Sequence, residues 1–470
     1  MNTNMNTNSI DKFKQEKIGL CGFKNMGNTC YMNSILQLLI HSKTIVNFLL
    51  SDTNPYETDE TNGTNGTNGT NGTNRTNNEE LKLVDLIIRD KIQAPFVNFL
   101  KSNSLDKIAD IIRKNNKLDS NTEVNINLSD LKIYMDSTLT IKLAELINTL
   151  IYRGNSCITP SGFKKIIDRK IPSLRGFGQQ DAHELLIGIF DIIIEETGVD
   201  SEPVINNIPD SVQEYIELLE EMRNNIKKNN TIEEKKRCVF ELNKYREQNK
   251  EIINKYNGLK YMTNVFETKR KNEFSTTTTG YNPLIFNLLT FDANIFKCTE
   301  CNNCVYKYEF NTILSLDVKP SLEESFAEYV KEELIERKCE ICSNKKTIRK
   351  KQIWRPGMVL YIQLCRFNNL PNGRVYKNNQ DVELQNIIDL TKYCDSSMGI
   401  NKSISLKYKL RGISNHMGNL NGGHYTADSI SIIDNKTWYH FDDSHVGRHQ
   451  SNSFDMSSSY ILMYEMENDL

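Results

Sequence analysis

Gly22-Phe23-Lys24-Asn25-Met26-Gly27-Asn28-Thr29-Cys30-Tyr31-Met32-Asn33-Ser34 leads straight into the largely apolar run Ile35 to Ile40. The run predicts a helix with Cys30 at its N-terminus and an amide side chain, Asn25, five residues upstream. These are the parts of a cysteine hydrolase. The thiolate is the nucleophile, and the positive end of a helix dipole lowers a cysteine pKa. Gly27 and Asn28 suit a tight backbone entry, and Asn28 or Thr29 can cap the helix. Asn25 can aim an amide N–H at a developing oxyanion. Taken alone, the same residues also suit a capped core helix with an inert, buried cysteine. Partners elsewhere in the chain decide between the two.

Two distant segments supply candidates. Tyr408 to Ala427 reads as a strand entering a glycine-rich loop, with His424 where the next strand begins. Glycines just before a histidine let the backbone approach a site closely and take positive φ. Imidazole titrates near neutrality, so His424 is a candidate general base for Cys30, although a lone histidine more often sits at the surface or in the core. Trp438 to Val446 reads as an aromatic strand ended by Asp442 and Asp443. Asp442 can accept from the far nitrogen of His424, fixing its tautomer and stabilising the imidazolium. A plain Asp-Asp-Ser turn closing a hairpin is the alternative.

Together, Gly22 to Gln37, the Gly422-Gly423-His424-Tyr425 loop and Trp438 to Val446 resemble the cysteine and histidine boxes of ubiquitin-specific proteases. These are papain-like cysteine peptidases that remove ubiquitin from proteins. The likeness runs from about residue 18 to residue 466, broken by insertions. It implies Cys30 as nucleophile, His424 as general base, Asp442 as its orienting group and Asn25 as the oxyanion-hole amide. Asp443 matches a second polar residue that some members use to support or replace the first, so the division between the two aspartates is open. His416 matches a histidine lining the same loop, in a supporting role. Gly178 to Leu186 resembles a third box, on a helix bordering the substrate-tail channel. There Asp181 matches a carboxylate that binds the extended ubiquitin tail, whose arginines pair well with carboxylates. An acidic first helical turn complementing the dipole is the alternative. The resemblance also implies that Gln180, Gly423 and Tyr425 border the substrate.

Cys298-x-x-Cys301 and Cys339-x-x-Cys342 form two knuckles, each able to offer two thiolates to one tetrahedral zinc ion. The 37 residues from 302 to 338 exceed a compact zinc ribbon, so two hairpins must be brought together. Cys301 and Cys304 form an alternative register, and Cys298 with Cys301 is the preferred pair. The resemblance implies a structural, non-catalytic site at the tip of a β-rich fingers region that grips ubiquitin's body.

The chain has 470 residues, 58 Lys and Arg, 60 Asp and Glu, and a formal net charge of -2, which gives no general attraction to nucleic acid or anionic membrane. The polar start of the chain offers no secretory segment, and no apolar stretch approaches the roughly 20 residues that span a bilayer. Eleven cysteines are too sparse for a disulfide scaffold, and in a reducing compartment their clustering points to metal. The expectation is an intracellular monomer, cytoplasmic or nuclear, whose partners are ubiquitin and ubiquitinated proteins.

Residues 1–17 are expected to be a disordered tail, and 53–78, with its Thr-Asn-Gly repeats, a disordered low-complexity loop. Helical patterning returns around Leu81 to Ile88, and 100–140 is polar and irregular. The charged stretch 196–272 reads as two or three exposed helices, an insertion outside the core. Strand-like runs follow at Ile313 to Val318, Met358 to Leu364, Ser405 to Leu410 and Ser459 to Tyr464. A helical front and a strand-rich back imply an α+β fold. With the resemblance, the expected architecture is a right hand within one catalytic domain over 18–466: helical thumb about 18–195, zinc-tipped β fingers about 290–352, β-rich palm about 353–466.

Overall fold

The computed structural model describes residues 20–50, 113, 136–153, 157–197, 208–227, 231–260, 288–369, 373, 375–395, 406–419, 422–449 and 454–467. The expected tail at 1–17, the loop at 53–78 and the pattern at Leu81 to Ile88 lie outside them, as do most of 100–140 and residues 261–272.

The apolar run after Cys30 forms helix α1 (Cys30–His41), and every one of its residues is buried. A helix that is apolar on nearly all sides needs cover on all sides. One side comes from helices α2 (Lys43–Leu50), α3 (Leu139–Arg153), α4 (Ser161–Lys170) and α5 (Ala182–Thr197), which share a core with Leu36, Leu39 and Ile40. The other side comes from a large sheet.

That sheet has eight strands. Its path runs β15 (His445–Arg448), β14 (Trp438–Asp442), β13 (Gly422–Ile430), β12 (Lys407–Asn419), β16 (Ser459–Met466), β8 (Val359–Cys365) and β5 (Ile313–Asp317), with β11 (Ile387–Asp389) paired to β12 off the path. Neighbours are antiparallel except β5 and β8. The four strand-like runs of the sequence become β5, β8, β12 and β16, which lie side by side. Successive side chains of a strand point to opposite faces. Val359 and Tyr361 therefore join the α1 core, while Leu360, Ile362 and Leu364 join a second core with Phe326 of helix α8 (Leu322–Tyr329) and Tyr393.

The glycine-rich segment expected as a loop is mostly strand. Strands β12 and β13 pair from Gly412↔Ser429 out to Asn419↔Gly422, so only residues 420 and 421 separate them. Cross-strand pairing there overrides the weak strand preference of glycine.

A separate four-stranded antiparallel sheet, in the order β4 (Cys304–Asn311), β3 (Thr290–Cys298), β7 (Lys346–Arg355) and β6 (Glu333–Glu336), carries the cysteine knuckles at the turns of its two hairpins. Its root corrects the reading of 196–272. Helices α6 (Asp210–Lys227) and α7 (Ile232–Gln248) and the helical residues 250–260 are present, but they are not all peripheral. Val212, Tyr256 and Leu259 pack with Leu289, Phe291 and Trp354 at the root of the sheet. These contacts are spaced too sparsely in a charged stretch to show as a core face. Helix α7 fits the expectation better, since Leu242 is its one buried residue. No described helix is long and apolar enough to cross a membrane.

His41, at the last turn of α1, donates from Nδ1 to the Gln37 carbonyl (2.8 Å) and packs its ring on Phe441 of β14 (centroids 5.0 Å apart). Burial pushes its pKa down to about 4. The unfolded chain binds this proton near pH 6.5 and the folded one only near pH 4. Stability from neutral His41 is therefore full above pH 6.5 and is lost as pH falls toward 4. The loss should reach about 2 kcal/mol at pH 5. His41→Asn should flatten the decline of the unfolding midpoint between pH 6.5 and 4, as read by thermal denaturation across that range.

Candidate active site

Two hairpin ends and one helix start meet at the edge of the large sheet. Helix α1 packs on β13, and the backbone N–H of Tyr425 points at the Cys30 sulfur. His424 is the residue just before Tyr425 on the same strand. Its Nε2 lies 2.7 Å from Asp442 Oδ1 on the neighbouring strand β14. A carboxylate only accepts, so Nε2 carries the hydrogen and Nδ1 is left as the basic nitrogen.

Cys30 itself departs from the sequence expectation. It sits at the N-terminus of α1, yet burial raises its thiol pKa, opposed in part by the Tyr425 amide; the negative charge of Asp443 raises it further. Only 2% of the residue is exposed. Desolvation outweighs the helix end, and the resting group is a thiol that needs a base.

The turn before α1 is held by Asn25 rather than by an Asn28 or Thr29 side-chain cap. Asn25 Oδ1 accepts from the backbone N–H groups of Gly27 and Thr29 (both 3.0 Å), and the Thr29 hydroxyl accepts from Met26 N–H (2.9 Å). Thr29 is the N-cap without a side-chain cap bond. Gly27 (φ 106°) and Asn28 (φ 50°) both take the left-handed conformations this tight entry requires. With its oxygen anchored, Asn25 directs Nδ2 to Asp443 Oδ2 (2.9 Å). The other oxygen of Asp443 accepts from Asn33 Nδ2 (2.7 Å), which also reaches the Phe23 carbonyl at 3.3 Å. The two aspartates thus face different partners: Asp442 meets His424, and Asp443 meets Asn25 and Asn33.

Asn33 is a site residue that the sequence pattern does not single out. It stands three residues after Cys30, on the same helix face, inside the opening stretch. That spacing is the available signal, but its partner lies 410 residues away in sequence.

Gln180, Asp181, His416, Gly423 and Tyr425 all line one cavity of about 140 Å³, together with Phe367. Asp181 also caps α5, accepting at Oδ1 from the N–H groups of His183 (2.6 Å) and Glu184 (3.3 Å), so the cap and the cavity lining coexist. Its Oδ2 accepts from the Tyr460 hydroxyl (2.8 Å), a contact no local pattern announces. His416 packs against Tyr425 (centroids 4.6 Å apart), and burial with nearby Lys377 pushes its pKa down to about 4, so it is neutral at physiological pH. Gly423 is required by close approach: a Cβ there would lie 2.4 Å from His416 Nε2.

At the far end of the four-stranded sheet, Cys298 and Cys342 place their sulfurs 3.5 Å apart, and Cys301 and Cys339 place theirs 3.7 Å apart. All four sulfurs lie within 4.8 Å of one another. Tetrahedral ligands at the usual Zn–S distance stand about 3.8 Å apart, so the four cysteines fit a metal ion. Cys304 is outside the group, its thiol directed to the Asn302 carbonyl.

A family model described as ubiquitin carboxyl-terminal hydrolase matches residues 21–464. A probable ubiquitin carboxyl-terminal hydrolase of Acanthamoeba polyphaga mimivirus is 24% identical over 97% of this chain and 92% of its own length. Ubiquitin carboxyl-terminal hydrolase 10 of Arabidopsis thaliana is 38% identical, over 27% of this chain and 13% of its own. Among solved structures, the SAGA Ubp8/Sgf11/Sus1/Sgf73 DUB module bound to ubiquitin aldehyde is similar with a TM-score of 0.55 at 18% identity, covering 97% of this chain and 71% of that one. The likeness extends to the fold.

The raised thiol pKa has a direct readout. Carbamidomethylation of Cys30 in the free protein, followed residue by residue by mass spectrometry, should keep accelerating above about pH 8.5, where an ordinary cysteine begins to level off.

Proposed function

The chain belongs to the ubiquitin carboxyl-terminal hydrolase family, and from that premise we propose that it is a thiol isopeptidase cutting after the C-terminal glycine of ubiquitin. One set of contacts supports the assignment of roles: the Cys30 thiol meets the Tyr425 amide next to His424 and feels the charge of Asp443, while His424 pairs with Asp442 and Asn25 with Asp443. The ubiquitin aldehyde bound by the Ubp8 module supports ubiquitin as the substrate here.

In this reading His424 Nδ1 takes the Cys30 proton as sulfur attacks the glycine carbonyl. An S–C bond forms and the carbonyl oxygen becomes an oxyanion. Asp442 holds the imidazolium through Nε2, and Asn25 Nδ2 donates its second hydrogen toward the oxyanion. Collapse breaks the C–N bond, and the departing lysine amine leaves with the proton from His424. Water, deprotonated by His424, then attacks the thioester, and Cys30 recovers its proton as the C–S bond breaks. Asp443 serves Asn25 rather than His424, which gives the two aspartates separate roles. Asp181 offers a carboxylate to the arginines of the ubiquitin tail, in a channel shared with Gln180, His416, Gly423 and Tyr425.

We assign one zinc ion to Cys298, Cys301, Cys339 and Cys342. A closed site of four thiolates supplies structure alone, joining the two hairpin turns. Reduced thiolates suit an enzyme acting inside the cell, in cytoplasm or nucleus, and we expect it to act as a monomer.

An electrophilic ubiquitin probe should add one ubiquitin to Cys30, located by mass spectrometry. Cys30→Ala should abolish hydrolysis of a ubiquitin C-terminal amide while ubiquitin still binds; full activity in that variant would sink the assignment. His424→Ala should lower kcat by at least about 100-fold.

Metal analysis of the purified protein should give one equivalent of zinc. Cys339→Ala should lose it along with thermal stability, whereas Cys304→Ala should keep both. Retention of zinc by the first variant would place the site elsewhere.

A further inference from the structure

A chain of hydrogen bonds crosses three adjacent strands of the large sheet and ends on Asp181. Ser315 of β5 and Gln363 of β8 are register partners, and the Ser315 hydroxyl donates to Gln363 Oε1 (3.0 Å). Gln363 Nε2 donates to the Tyr460 hydroxyl oxygen on β16 (2.9 Å). Tyr460 gives its single proton to Asp181 Oδ2 (2.8 Å).

The chemistry of the groups sets the direction. An amide nitrogen only donates and a carboxylate only accepts, so the hydroxyl between them must point at Asp181. Aligned donors polarise one another, which strengthens the last bond. Tyr460 is 1% exposed, and burial pushes its hydroxyl well above the usual phenol range, so it stays a donor. At Oδ1, Asp181 accepts from two helix amides. Donors on both oxygens fix the plane of the carboxylate. No Lys or Arg among the described residues forms an ion pair with it, and Oδ2, which accepts only from Tyr460, keeps a lone pair for an incoming cation.

We propose that Tyr460 is a positioning residue for substrate recognition: through the relay Ser315–Gln363–Tyr460 it holds the Asp181 carboxylate toward the channel and so sets affinity for a cationic substrate tail. This rests on Asp181 as the tail-binding carboxylate of the proposed hydrolase. Tyr460 touches no reacting atom in this role, so its effect belongs in KM. Gln363 acts one step further back. A carboxylate in its place, as in Gln363→Glu, would compete for the Tyr460 proton and turn it away from Asp181.

The test is steady-state hydrolysis of a fluorogenic ubiquitin C-terminal amide by the full chain, with the natural tail and with the tail arginines replaced by leucine. Tyr460→Phe should raise KM about fivefold, the worth of one hydrogen bond of ordinary strength, with kcat within about twofold. Gln363→Glu should shift KM in the same direction. With the arginine-free tail the effect of Tyr460→Phe should largely vanish, because the two changes remove one interaction. Alkylation of Cys30 by a small haloacetamide should match the wild type in both variants, which separates the effect from misfolding. An unchanged KM, a loss confined to kcat, or an equal loss with both tails would overturn the proposal while leaving the hydrolase intact. A wild-type chain that leaves the natural-tail substrate uncut would overturn the hydrolase reading and this proposal with it.

Discussion

Burial of α1 between the helical layer and the large sheet is the constraint on which the rest of this molecule depends. The helix is covered on one side by α2 and α5 and on the other by β12, β13 and β14, and every residue along it is buried. Removing one buried leucine from such an element typically costs about 2–5 kcal/mol, a large part of a domain's total stability. The helix also sets the frame of the site. Its first turn carries Cys30 and Asn33, and its last residue, His41, packs on Phe441, the neighbour of Asp442. Midway, Ser34 is hydrogen-bonded to Ser414 on β12 (3.0 Å). Cys30, Asn33 and the strand that ends in Asp442 are thereby referred to one rigid rod.

That same burial has a chemical cost at Cys30. Water is excluded from the sulfur, and the thiol becomes harder to ionise than an exposed one. A helix N-terminus cannot offset the loss of solvent here, so reactivity has to come from a base brought in from another element. His424, on β13, keeps more than a third of its side chain in contact with solvent and has its Nε2 tied to Asp442. In the proposed reaction the buried thiol and the partly open imidazole play complementary parts. The first is protected in the resting protein, and the second supplies charge movement when substrate arrives.

Much of this was legible because local chemistry leaves local marks. Four strand-like runs became four adjacent strands, and the run after Cys30 became the central helix. The glycine-rich stretch before His424 misled in one respect. It announced a loop, but the ladder between β12 and β13 continues through it, because pairing across strands outweighs the weak preference of glycine for extended structure. The charged stretch 196–272 concealed Val212, Tyr256 and Leu259, whose burial depends on a sheet root that begins some thirty residues further on. Asp181 reads locally as a helix cap, and it is one; its second oxygen is spoken for by Tyr460, almost three hundred residues away.

The sequence by itself determined the parts and their immediate settings: a cysteine at a helix start, a histidine behind glycines, two aspartates at a strand end, and paired cysteine knuckles. Spacing of a few residues marks such features, because caps, turns and the periodic faces of helices and strands are local in the chain. Tertiary structure alone decided that Asp442 faces His424 while Asp443 faces Asn25 and Asn33, that Cys304 stands apart from the other four cysteines, and that Tyr460 reaches Asp181. Those outcomes follow from strand register, where a shift of one residue turns a side chain to the opposite face. The raised pKa of Cys30 has the same origin, since desolvation measures what surrounds a group in space and not what adjoins it in the chain.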